Sequence, residues 1–121
     1  MDVRGMIARA DSLLPNLQSF VCKAQWLYEL DKKIYEDFLS SYGASYRAPD
    51  EENMTSPDRT LLIEDAFSDV YLYYLFMQTE LSSGNITGYQ NMASLFNRAY
   101  VDYISHFNRT HLMSPRRINI E

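Results

Sequence analysis

Three sets of side chains in this sequence have types and spacing that chemistry can use, and each has a plainer use. Asp102 and His106 stand four apart, one helical turn, and two such groups can share a metal ion. His111 falls on a different side of that helix, so a solvated ion pair is the expected role. Cys22 with a histidine would make a thiolate–imidazole pair, but a free cysteine is ordinarily a small buried hydrophobe. Glu64, Asp65 and Asp69 cluster where a helix should begin. General acid–base work would need one of them positioned on a substrate proton. Negative charge at a helix N-terminus is stabilising by itself, and that is the expected use. The glycines at 5, 43, 84 and 88 are scattered, so there is no phosphate-binding loop. No H-E-x-x-H, EF-hand or paired-cysteine motif occurs. The expectation is a protein that is not an enzyme, with no metal and no cofactor.

The bulk properties bound the rest. At 121 residues the chain has the common size of one domain. Its 46% hydrophobic and 22% charged residues are those of a globular protein. One cysteine excludes an internal disulfide and any zinc framework built on cysteine pairs. The first residues, Met1-Asp-Val-Arg-Gly-Met-Ile, contain no continuous apolar run, so no signal peptide is expected. No segment approaches the ~20 apolar residues of a membrane span. The sequons at Asn53, Asn85 and Asn108 then read as chance matches. Net charge is −5, with −7 in residues 29–69 and +2 in residues 98–121. An acidic middle argues against general nucleic-acid binding. Opposite poles permit head-to-tail association, which gives a ring when it closes.

Periodicity predicts helices throughout. Residues 2–14 form a first helix on Met6, Ile7, Ala10, Leu13 and Leu14, capped by Asp2 and closed by Pro15. A second runs from Leu17 or Ser19 to Ser41 with the stripe Phe20, Ala24, Leu27, Leu30 or Asp31, Ile34 and Phe38; Lys23 lies off it. Trp26 sits beside that stripe, as a core flank or an interface anchor. Residues 43–58 are a long acidic loop, and Thr60–Glu64 is a short strand or the lead-in to a helix. A third helix begins near Asp65 on Phe67, Val70, Tyr71, Tyr74, Met77 and Leu81. Tyr73, Leu75 and Phe76 occupy its other side, so it should be covered from several directions. Gly84 ends it, and a fourth helix runs to about His111 on Tyr89, Met92, Ala93, Phe96, Ala99, Tyr100, Tyr103 and Phe107.

The predicted fold is all-α: a bundle of about four helices built round a long antiparallel αα-hairpin. Residues 1–112 make the bundle domain, and residues 113–121 an extended C-terminal tail. Ten tyrosines exceed what the core stripes need. Tyr71, Tyr73, Tyr100 and Tyr103 are not expected all to be buried within one chain, which favours a part of an assembly.

The stretches Gln25-Trp-Leu-Tyr-Glu-Leu-Asp31, Ile34-Tyr-Glu-Asp37, Asp69-Val-Tyr-Leu-Tyr-Tyr-Leu75, Gly84 to Asn91, Phe96-Asn-Arg-Ala-Tyr100 and Phe107-Asn-Arg-Thr-His111 carry a resemblance. In that order and spacing, from about residue 16 to 112, the chain resembles head–tail connector (adaptor) proteins of tailed bacteriophages and prophages. Its 43–58 loop is longer than that family leads one to expect. The resemblance implies a virion structural protein, made in the host bacterial cytoplasm and placed in the neck at the head–tail interface. Such a subunit forms a homo-oligomeric ring, roughly twelvefold, under the portal protein. It meets a stopper or tail-completion protein below, lets DNA pass without specific binding, and touches no membrane. Within that frame Trp26, Tyr73 and Phe76 are candidates for subunit packing. Arg109 and the tail residues Arg116, Arg117, Ile118 and Ile120 are candidates for reaching a neighbouring protein. The alternatives are another neck or tail-completion (stopper) protein, or a small cytosolic helical binding or regulatory protein.

Overall fold

The computed structural model describes residues 1–41 and 46–111, the last by its backbone alone. It is all-helical, with four α-helices and no strand among the described residues. None of these helices is long and apolar enough to cross a membrane.

Helix α1 (Val3–Leu13) starts where the Asp2 carboxylate accepts the Gly5 N–H at 2.8 Å. Two further N–H groups of its first turn are satisfied from outside: Val3 donates to the Arg59 carbonyl and Arg4 to that of Pro57. The helix ends because Leu14 precedes Pro15, and a residue before proline is driven out of the helical region. Val3, Met6, Ile7 and Ala10 form its buried face.

Helix α2 (Phe20–Asp37) is capped by Ser19, whose hydroxyl accepts the Cys22 N–H. It stops four residues short of the expected Ser41. Phe38 leaves helical geometry and packs its ring edge-on to Phe107 at 4.7 Å and to Tyr103 at 6.4 Å. An aromatic anchor on another helix outweighs one more turn of backbone hydrogen bonds. Lys23 corrects the expected pattern, since it is buried rather than off the stripe. Its Nζ donates to Asp11 at 2.7 Å and its stem covers apolar surface. Phe20, assigned to the stripe, is left exposed.

The described part of the acidic loop is fastened down rather than free. Asp50 caps a short 3₁₀ turn at Glu51–Asn53, and the chain then lays its carbonyls on the α1 N-terminus. Segment 60–63 is neither strand nor helix lead-in. It makes one isolated bridge, Thr60 to Asp2, and then bends at Leu62 and Ile63, with Leu61 and Ile63 buried.

Helix α3 (Asp69–Ser82) begins later than expected, because Asp65–Phe67 forms a separate 3₁₀ turn that sets the Phe67 ring over Tyr103 and His106. It touches all three other α-helices, which is why it is apolar round most of its girth. Gly84, at φ +80°, then turns the chain. Its N–H reaches the Leu81 carbonyl, and the Asn85 N–H reaches that of Glu80, the paired closure that a left-handed glycine permits. Asn85 caps helix α4 (Ile86–His111) by accepting the Gly88 N–H at 2.9 Å. Helices α3 and α4 pack antiparallel through contacts such as Tyr74 on Phe96, as the αα-hairpin reading required, and the preceding 3₁₀ turn adds Phe67 on Tyr103.

Candidate functional site

Besides the buried Lys23, two places among the described residues depart from the rule that charge faces water and apolar groups do not. The first is a buried polar centre. Asp31 has no solvent exposure, though it shares a helix face with Leu27 and Ile34. Its carboxylate accepts from Arg59 Nη1 at 2.9 Å, from the Tyr71 hydroxyl at 2.6 Å and from the Leu62 N–H at 3.3 Å. The Tyr71 oxygen in turn accepts the Ile63 N–H at 2.7 Å. One carboxylate thus ties α2, α3 and segment 59–63 together. Burial raises the Asp31 carboxyl above its ordinary range, against the lowering pull of Tyr71, Arg59 and the Leu62 N–H. Burial and then the Asp31 charge push the Tyr71 phenol well up. The Arg59 guanidinium lies over the Tyr28 ring at 5.8 Å, while its Nε and Nη2 are buried without a hydrogen-bond partner among the described residues. With Asp31 sealed from solvent no substrate reaches this carboxylate, so its work is structural.

The second place is one end of the bundle. Helices α1 and α3 finish there, α2 and α4 start there, and the α1–α2 connector lies against Thr79, Glu80 and Ser83. Leu13, Leu17, Phe20, Val21, Leu81 and Ile86 all stand exposed at this end. Residues 12–22 and 79–88 contain one charge, Glu80, and its carboxylate accepts from the Asn85 side chain at 2.6 Å.

The structure disperses the residues singled out from sequence. Trp26 and Phe76 are half-buried and pack against the core. Tyr73 lines a shallow groove of about 210 Å³ with Asp69, Leu95, Arg98, Ala99 and Asp102. Arg109 is exposed near the end of α4. Arg116, Arg117, Ile118 and Ile120 lie outside the described residues. Of the four tyrosines not expected all to be buried in one chain, Tyr71 and Tyr103 are core residues, and Tyr73 and Tyr100 are half-buried. Burial raises the phenols of Tyr74, Tyr100 and Tyr103.

The structure spreads the chemical candidates over separate places, with Glu64, Asp65, Asp69 and Asp102 exposed. His106 lies against the Phe67 ring at 4.9 Å, and no group of three or more ligating side chains occurs among the described residues. Cys22 sits in the first turn of α2, near the opposite end of the bundle from His106. Asp69 pairs with Arg9 at 2.9 Å, and Asp65, though mostly exposed, pairs with the Met1 amino group at 3.0 Å. Sequence reasoning missed the Asp31 centre, and the signal was an acid in the middle of an apolar stripe. No protein-family model, curated protein or solved structure matches this chain.

Proposed function

We propose that this chain is a head–tail connector subunit of a tailed-phage neck, a virion structural protein without a catalytic role. It acts as one member of a homo-oligomeric ring between the portal and a stopper or tail-completion protein. The observation that carries the reading is where the resembling stretches fall. Gln25–Asp31, Asp69–Leu75 and Phe96–Tyr100 are the pieces through which α2, α3 and α4 meet, by Asp31 on Tyr71 and Tyr74 on Phe96. Segments far apart in sequence that resemble one family therefore build a single packed unit. The half-buried Tyr73 and the exposed Arg109 are left for neighbours in the ring, with Trp26 and Phe76 at the margin of the core. Exposed Glu51, Glu52 and Asp58 present like charge to phosphate, which suits a surface that DNA passes without binding.

The test is mass photometry of the purified chain with and without the portal protein encoded beside it, repeated after deletion of residues 113–121. A discrete high-order complex that needs the portal and weakens with the deletion is the expected result. Indifference to the portal overturns the reading. A complex formed only with tail-completion proteins would move the subunit to a stopper position.

A further inference from the structure

Seven large apolar side chains are left exposed among the described residues, and six of them lie at the end formed by the α1–α2 connector and the α3–α4 turn. Single exposed hydrophobics are ordinary on any protein, but their collection at one end is not. Leu17 is fully exposed, with Leu13 at 59%, Ile86 at 57% and Val21 at 53%. The six leave on the order of 600 Å² of surface facing water, at the upper limit for a patch on a monomer. A stable interface covers roughly 800 Å² on each partner.

Charge selects the occupant. A nucleic acid or an anionic membrane would require cations, and residues 12–22 and 79–88 hold no lysine or arginine. An acidic or basic partner protein would likewise find no unpaired charge, because the Glu80 carboxylate is engaged by Asn85 and the flanking Asp11 by the buried Lys23. A second copy of this chain has the matching chemistry. Elsewhere two copies carrying −5 each repel one another, whereas this end meets itself without repulsion. A two-fold contact is self-complementary by construction, so an uncharged apolar end suffices for both sides.

We infer that the end bearing Leu13, Leu17, Phe20, Val21, Leu81 and Ile86 is a homodimer interface. This contact is independent of the neck reading. It forms in the isolated chain, whereas the proposed ring forms with the portal.

Sedimentation equilibrium of the full chain from about 1 to 100 µM tests it. The expected result is a concentration-dependent shift from 14.2 kDa to twice that mass. Leu17→Glu abolishes the shift without unfolding the chain, since Leu17 makes no buried contact. Val101→Glu, at the one exposed large apolar side chain away from this end among the described residues, leaves the shift in place. A monomer at every concentration overturns the inference, as does a dimer that dissociates with Val101→Glu and not with Leu17→Glu. A monomer that floats with phosphatidylcholine vesicles, and loses this with Leu17→Glu, overturns it too by making lipid the occupant.

Discussion

The two ends of this bundle invert ordinary burial in opposite senses. At the end where α2 finishes and α3 starts, a carboxylate, a guanidinium and a phenol are inside. At the other end, six large apolar side chains are outside. The buried centre is expensive to break, because removing one partner leaves the other charged and dry. The exposed end costs the monomer little to change, because its side chains already contact water. One inversion therefore serves the chain's own fold, and the other has meaning only between molecules.

The largest expected effect comes from Arg59→Met. It leaves the Asp31 carboxylate without its cation and should cost about 3–5 kcal/mol at pH 7 by urea denaturation. The loss of Arg59 also removes influences that hold the Asp31 carboxyl down, so burial raises it further. A carboxyl with a folded pKa above its unfolded value of about 3.9 favours the fold below that value. That contribution is lost as pH rises through the folded pKa. The deficit of the variant should therefore shrink as pH is lowered from 7, and a deficit that grows on acidification would contradict a buried, proton-seeking Asp31.

Tyr71→Phe sharpens the same comparison at a smaller scale. It deprives the buried Ile63 N–H of its acceptor and Asp31 of its shortest hydrogen bond, at about 1–3 kcal/mol. Thermal melts would show this as a clear drop in Tm, and an unchanged Tm would mean that segment 60–63 holds without the phenol.

The smallest effect is expected at the apolar end. Leu17→Ser should change monomer stability by no more than about 0.5 kcal/mol in urea at low protein concentration. A larger loss there would show that the α1–α2 connector contributes to the fold, and the contrast between the two ends would narrow.

Much of the architecture is legible in the residues. The caps at Asp2 and Ser19, the stop at Pro15 and the turn at Gly84 are local events, settled by a few neighbouring atoms. The α4 stripe identifies Tyr103 and Phe107 as core because periodicity records which face is apolar. The same periodicity is silent on what that face meets. Asp31 stands four residues after Leu27 and three before Ile34 on a buried face. Only the placement of Arg59, 28 residues on, explains how a charge can stay there. Lys23 was misplaced for the same reason, since its partner Asp11 belongs to another helix.

The sequence by itself determined where the helices lie to within about one turn, that they are amphipathic or buried on several sides, and that α3 and α4 fold back on one another. These properties depend on contacts within a turn or two of chain. The tertiary structure alone decided which polar groups share the interior and which apolar groups are left outside. Burial at those positions depends on the neighbour that packing supplies, and Leu17 and Leu27 are the same residue until α1, α3 and α4 are in place.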